Sequence, residues 1–149
     1  MRKGLSAVEL YYLVRELKGL EGSRLDAVYG FGDKAVVLQL YGKGSKFFVV
    51  AVPPIGIYLS SSKPSELSSV GLVSMLRKHL EGSKLVVVKQ LGFERIVRME
   101  FAARNKFSLI FELFSKGNTV FTDSNGKILA VAEQQEWGKR SLKSGSAYA

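Results

Sequence analysis

The stretch from Lys84 to Asp123 constrains the fold more than any other part of the chain. It reads KLVVVKQLGFERIVRMEF followed by AARNKFSLIFELFSKGNTVFTD. Apolar residues recur there at every second position: Val97, Met99 and Phe101 share one parity, as do Phe107, Leu109, Phe111 and Leu113. A period of two sets one side of a strand on a core and leaves the other to water or a partner. Polar groups of both signs (Glu94, Arg95, Arg98, Glu100, Arg104 and Lys106) lie between and on these strands. A sheet is expected to carry the fold, with function at its Glu94–Arg95 end.

The flanking sequence supplies helices and more strands. Residues 5–19 read as a first helix: Ser6 and Glu9 form an S-x-x-E capping box, and Leu5, Val8, Tyr12, Leu13, Leu17 and Leu20 recur at helical spacing to cover the sheet. Strands follow at 23–31, where Leu25, Ala27 and Tyr29 alternate with Arg24, Asp26 and Val28, then at 35–41 and 47–52, with turns at Gly32-Asp33-Lys34 and 42–46. Pro53-Pro54 ends the third strand, because proline cannot donate to a sheet; a short extended piece covers 56–59. The serine-rich loop 60–69 leads into a second helix, about 69–80, with Leu72, Met75, Leu76 and Leu80 on its apolar side. Strands at 84–90, 95–101, 106–114, 119–122 and 127–132 complete the pattern, the last two joined through Asn125-Gly126. The expectation is an α+β domain over residues 1–133: an antiparallel β-sandwich or flattened barrel of about eight strands with two packed helices. Residues 134–149 lose apolar periodicity and read as a linker-like tail of a longer chain. No internal repeat is evident.

Composition narrows the chemistry. With 149 residues, 46% of them hydrophobic, one domain with a real core is expected. Cysteine is absent, which excludes disulfides and thiolate metal sites, and the single His79 leaves no histidine cluster for a metal. No P-loop, dinucleotide fingerprint or G-x-S-x-G elbow occurs. The residues by themselves support no enzyme, no metal and no cofactor. No apolar run reaches the ~20 residues of a membrane span, and Glu9, Arg15 and Glu16 interrupt any signal-peptide core. A cytoplasmic protein is expected. Lysine and arginine total 22 against 13 acidic residues, a net charge of +9 with a pI near 9.8. So large a basic excess favours polyanion partners, since each neutralised phosphate releases counterions. Phe93 and Trp137, each beside a glycine and near basic residues, are the aromatics to watch for base stacking.

Three segments in order carry a resemblance. They are Leu5–Gly30, with LSAVEL and VRELKGLEGSRLDAVYG; Leu76–Phe101, with LRKHLEGSKL and LGFERIVRMEF; and Leu109–Ala130, with LIFELFSKGNTVFTD and GKILA. Together they resemble the N-terminal domain of the NFACT family, the group of nuclear export mediator factor, fibronectin-binding protein A and ribosome-associated quality-control factors. The resemblance implies the β-sandwich-with-helices fold shared with the N-terminal domain of formamidopyrimidine-DNA glycosylases. It also implies a tRNA-binding module of a factor that binds the large ribosomal subunit carrying a stalled nascent chain–tRNA and supports template-free C-terminal tailing. In the family an acidic residue in the first helix and an acidic–Arg pair after Gly-Phe serve tailing; here these positions hold Glu9, Glu94 and Arg95. Both acids are glutamate where the family pattern has aspartate, which keeps the charge and lengthens each reach by one methylene. The glycosylase nucleophile, an N-terminal proline amine, has no counterpart, because the first proline is Pro53.

On this reading Glu9, Glu94, Arg95 and Arg98 form the tRNA site. Arg95 meets a phosphate or base edge through its planar fork, and the two glutamates orient it or accept from a nucleotide. Arg77, Lys78, Arg104 and Lys106 are further candidate phosphate contacts. The competing expectation is a protein-interaction or ribosome-docking domain without tRNA specificity. Surface adhesion, suggested by the family's bacterial name, is disfavoured by the lack of a signal peptide.

Overall fold

The computed structural model describes residues 6–31, 34–63, 71–92, 94–137 and 140–148. Helix α1 (Ala7–Leu17) opens on the expected capping box: the Glu9 N–H donates to Ser6 Oγ at 3.1 Å, and the Ser6 N–H to Glu9 Oε1 at 3.0 Å. Strands β1 (Arg24–Phe31), β2 (Ala35–Gly42), β3 (Ser45–Val52) and β4 (Gly56–Ser60) form an antiparallel meander. Helix α2 (Leu72–Leu80) starts a second one, β5 (Lys84–Gln90), β6 (Ile96–Ala102), β7 (Lys106–Glu112), β8 (Asn118–Asp123) and β9 (Ile128–Val131). All nine strands belong to one hydrogen-bonded sheet in the order β4-β3-β2-β1-β5-β6-β7-β8-β9. The α+β class with an antiparallel sheet and two helices is as expected. Among the described residues no helix is long and apolar enough to cross a membrane.

The two meanders repeat one another, and here the structure corrects the sequence reading. Leu20-Glu21-Gly22-Ser23-Arg24-Leu25 and Leu80-Glu81-Gly82-Ser83-Lys84-Leu85 carry the same motif 60 positions apart. The two copies meet at the seam between β1 and β5 with reciprocal bonds. Gly22 N–H donates to the Leu85 carbonyl at 2.7 Å and Gly82 N–H to the Leu25 carbonyl at 2.8 Å; Leu25 N–H reaches Ser83 and Leu85 N–H reaches Ser23, both at 2.8 Å. Gly22 (φ +97°) and Gly82 (φ +90°) turn the chain out of each helix in the left-handed region that glycine accepts without strain. Each first strand then bulges at the same place, after Leu25 and after Leu85. The bulge breaks the expected alternation: Leu25 and Val28 face the core together. The repeat was hidden because close identity is confined to the seam, while the remaining strands keep only their apolar pattern.

Nine flat strands would span about 40 Å, too wide for one core beneath two short helices. The sheet instead folds at the seam, so that both meanders face a single core containing Val36, Leu38 and Val49 from one and Val97, Met99, Phe111 and Phe121 from the other. Across the far side, Thr119 Oγ1 donates to the Lys34 carbonyl at 2.9 Å and Lys34 Nζ donates to the Lys116 carbonyl at 2.9 Å. The sheet itself stays open, with β4 and β9 as its two edges, where the sequence led to a sandwich or flattened barrel. Each helix packs on the opposite meander, α1 on β5 and α2 on β1.

Two further expectations change. Helix α1 buries Leu10, Val14 and Leu17 and leaves Val8 and Tyr12 each 62% exposed, although the sequence set Val8 and Tyr12 against the sheet. Two stripes overlap on this helix, and the purely aliphatic one turns inward because the tyrosine hydroxyls keep their water. Residues 134–149, expected to be linker-like, pack onto the domain. Strands β10 (Gln135–Trp137) and β11 (Arg140–Leu142) form a hairpin. Leu142 is fully buried with Ile110, Val120 and Ile128 on the outer face of the sheet, and the Tyr148 hydroxyl donates to buried Glu112 at 2.6 Å. Short strands and sparse apolar residues give no periodicity; Leu142, Tyr148 and backbone bonds to the β8–β9 hairpin, among them Ile128 N–H to the Ser146 carbonyl at 2.7 Å and Gly145 N–H to the Ile128 carbonyl at 2.8 Å, make the docking. Leu5, the Gly32-Asp33 turn, Phe93, the start proposed for the second helix before Gly71, and the Trp137 side chain lie outside the described residues.

Candidate nucleic-acid interface

The β5–β6 connection forms the Glu94–Arg95 corner. Leu91 N–H donates to the Ile96 carbonyl and Glu94 N–H to the Leu91 carbonyl, both at 3.1 Å, while the Arg95 carbonyl accepts from Leu113 N–H at 2.7 Å. Gly92, at φ +61°, makes the reversal. Gln90 then ties this turn to the helix: its side-chain amide donates to the Glu94 carbonyl at 2.8 Å and to the Ala7 carbonyl at 3.2 Å. The backbone of the corner is therefore fixed against the first turn of α1, which carries Glu9. The Glu94 and Arg95 side chains are exposed and hold no hydrogen bond or ion pair among the described residues. They form no ion pair with one another and stay available for a ligand. Glu9, by contrast, spends one carboxylate oxygen on the helix cap.

Arg98 lies on the outer face of β6, directly across from Lys89. Its Nε donates to Ser108 Oγ at 3.2 Å and stands 3.9 Å from Glu100 Oε2, which is also 3.6 Å from Lys89 Nζ. Arg98 is thus held in a sheet-surface network beside the corner.

The other four candidates lie elsewhere. Gln90 pairs with Val97 near the corner, whereas Lys84 pairs with Ala102 beside the β6–β7 turn, roughly 20 Å away along the strand. Arg104 and Lys106 are exposed at that distant turn. Arg77 lies on α2, where its Nε donates to the Val28 carbonyl at 2.8 Å and its guanidinium stacks 5.7 Å from the Tyr29 ring centre; it anchors the helix. Lys78 is exposed next to it. His79 packs its ring 5.3 Å from Phe107 and 5.8 Å from Phe121, as a packing residue of the last helical turn. The eight sequence candidates therefore divide between two ends of the sheet.

Beside the corner is a groove that the sequence reading missed. Tyr11, Val14, Arg15 and Lys18 of α1 form one wall; Lys89, Gln90 and Gly92 form the other, enclosing about 410 Å³. Three cations converge there. Lys18 is 3.6 Å from Glu21 and Lys89 is 3.6 Å from Glu100, but both lysines are about half exposed, and such surface pairs contribute only ~0–1 kcal/mol and leave the cations accessible. Tyr11 is half exposed, set edge-on to Tyr12 at 5.3 Å and capped by the Arg15 guanidinium at 5.9 Å. Cations with an exposed aromatic suit phosphates and an unpaired base. A signal did exist: Tyr11, Arg15 and Lys18 recur at i, i+4 and i+7, each one residue after a member of the aliphatic stripe and so flanking it. Lys89 joins them only through the fold. No acidic or histidine cluster among the described residues could hold a metal.

The same chain matches known proteins over nearly its full extent. It is 38% identical over 135 residues to ribosome quality control complex subunit 2 of Saccharomyces cerevisiae, covering 88% of this chain and 13% of that protein. It is 31% identical over 134 residues to ribosome quality control complex subunit NEMF of Mus musculus, again 88% of this chain and 13% of the relative. The chain thus spans about an eighth of the length of these relatives. The N-terminal domain of fibronectin-binding protein PavA from Streptococcus pneumoniae shares the fold with a TM-score of 0.85 at 24% identity, over 96% of this chain and 60% of that one. The family model for NFACT N-terminal and middle domains matches residues 6–149. The chain belongs to this NFACT family.

Proposed function

We propose that this domain is the tRNA-binding module of a ribosome-associated quality-control factor. One observation carries the reading: the groove between α1 and β5 presents Arg15, Lys18, Lys89 and half-exposed Tyr11 beside Glu94 and Arg95, whose exposed side chains hold no partner among the described residues. Arg95 and the groove cations take phosphates; Tyr11 offers a stacking face; Glu94 accepts from a base amino or ribose hydroxyl group. The kinship with quality-control subunits supports a cytoplasmic setting on the large ribosomal subunit with a stalled nascent chain–tRNA. There the full-length protein would support template-free tailing, and this domain would contribute binding rather than catalysis. Fibronectin binding by the Streptococcus pneumoniae relative has no bearing on this reading, since that likeness is one of fold.

The test is binding of bulk tRNA to the 149-residue chain over a salt series, with Arg95→Ala, Arg15→Ala and Lys43→Ala in parallel. Lys43 sits in the β2–β3 turn, away from the corner. Arg95→Ala and Arg15→Ala should each weaken binding about tenfold, ~1.4 kcal/mol, and Lys43→Ala less than about twofold. Equal small losses at all three positions would reduce the site to diffuse charge. Binding that ignores salt would favour docking on a protein instead.

A further inference from the structure

Away from the groove, the outer face of the sheet carries a second basic feature. One cross-strand row runs through six consecutive strands: Lys46 on β3, Tyr41 on β2, Arg24 on β1, Lys84 on β5, Ala102 on β6 and Lys106 on β7. Each is the ladder partner of the next. The core-facing neighbours Phe47, Leu40, Leu25, Leu85, Phe101 and Phe107 fix this row on the opposite, outward side. Lys46, Arg24, Lys84 and Lys106 are all exposed, and the three lysines hold no hydrogen bond or ion pair among the described residues. Arg24 is tied to Asp26 at 2.6 Å and lies over the Tyr41 ring at 5.4 Å. Strand spacing puts the four cations at about 0, 10, 14 and 24 Å along the row.

The row is symmetric about the seam. Arg24 and Lys84 are the paired residues of β1 and β5, and Lys46 and Lys106 each lie two strands further out. All four positions obey the 60-residue repeat. Because the sheet folds toward its core at this seam, the row crosses a convex ridge. A duplex offers a matching target: its antiparallel backbones are related by local two-fold axes, and two phosphate ridges flank the wide, shallow minor groove of an RNA helix. A single strand is the poorer fit, because it needs successive stacking faces along a groove, and the row offers a single ring, Tyr41, on a ridge.

We propose that this ridge binds the phosphate backbone of an RNA duplex, independently of sequence, at a surface distinct from the α1 groove. The experiment uses the 149-residue chain and a blunt RNA duplex of about 16 base pairs, long enough to span the row. Binding is measured over a salt series for the wild type, for Lys46→Ala/Lys84→Ala/Lys106→Ala, and for a control triple at exposed lysines outside the row, Lys63→Ala/Lys116→Ala/Lys127→Ala. The row triple should lower duplex affinity at least about tenfold and flatten the log–log salt slope by about 2 to 3, near one unit per lost phosphate contact. The control triple should change affinity less than about threefold. Thermal melts of both triples check that the fold persists.

Equal losses in the two triples overturn the proposal, as does tighter binding of an unpaired strand than of the duplex, or no duplex binding at all. An Arg15→Ala/Arg95→Ala variant separates this surface from the groove. Duplex binding that responds to the groove pair and not to the row sinks the ridge and leaves the groove reading standing. Duplex binding that responds to the row, with bulk tRNA indifferent to the groove pair, does the reverse.

Discussion

The two meanders are built alike and end differently. Both leave a helix through Leu-Glu-Gly-Ser, both bulge after the next leucine, and both send their helix across to the other meander. At the α2 end the space is filled: Arg77 is committed to the Val28 carbonyl and the Tyr29 ring, Lys63 Nζ stands 4.5 Å from that same ring, and His79 packs on two phenylalanines. At the α1 end the equivalent space is open. Tyr11 and Tyr12 point out, Lys89 stands on the strand opposite, and the adjoining turn holds Glu94 and Arg95 with exposed side chains. Filling one end supplies stability; leaving the other open sacrifices some of it, which is the pattern expected where a scaffold hosts a ligand.

The largest effect should come where the meanders close on each other. Gly117 precedes β8 at φ +76°, and a Cβ there would overlap the backbone of Pro53 and Pro54 in the first meander. Neither backbone can yield cheaply. Gly117→Ala should destabilise the domain by at least about 3 kcal/mol, combining left-handed strain with the clash. Urea unfolding measures it. A loss below about 1 kcal/mol would mean that the meanders do not depend on this approach.

The seam predicts a smaller, paired effect. Gly22 and Gly82 share their backbone geometry, and nothing lies within 4 Å of a Cβ at either. Gly22→Ala and Gly82→Ala should each cost about 1–2 kcal/mol, from strain alone, and should cost the same. Unequal losses would break the equivalence of the two halves at the one place where it is closest.

Local signals were legible in the chain, and long-range ones were not. The Ser6–Glu9 box and the Asn125-Gly126 hairpin are decided by neighbours in sequence, and the structure has both. The alternation of 84–123 correctly named Val97, Met99, Phe101, Leu109 and Phe111 as core. A β-bulge defeats any strict period of two, so β1 was read with Val28 on the wrong side. Lys89 and Arg15 are 74 positions apart, and only the crossing of α1 onto β5 makes them neighbours. The cation row lies deeper still, because each member looks like an ordinary solvated lysine or arginine until the strand registers align them. The Glu94–Arg95 corner was singled out in sequence by the mixed-sign polar groups at the end of the alternating stretch and by the family resemblance; its tether through Gln90 required the fold.

The smallest effect concerns a single ion pair on the closing side. Lys34 Nζ lies 3.0 Å from Glu133 Oε2, joining the first meander to the segment after β9. The hydrogen bond from Lys34, helped by one from Gln135, holds the Glu133 carboxyl below its ordinary value of 4.5. A carboxyl with a lowered folded pKa binds fewer protons folded than unfolded, so its contribution is complete above the unfolded value and fades as pH falls through the folded one. Wild-type and Lys34→Met stability curves should therefore be separated at neutral pH and draw together below about pH 4.5. Screening by solvent keeps the separation small, since pairs this accessible are weak. Lys34 also donates to the Lys116 carbonyl, a bond that acid does not remove. A residual gap should persist at low pH, and the pH-dependent part alone belongs to Glu133. Curves that stay parallel from neutral pH into acid would assign the whole effect of Lys34 to that carbonyl, and the closure of the two halves would then rest on hydrogen bonds that acid does not titrate.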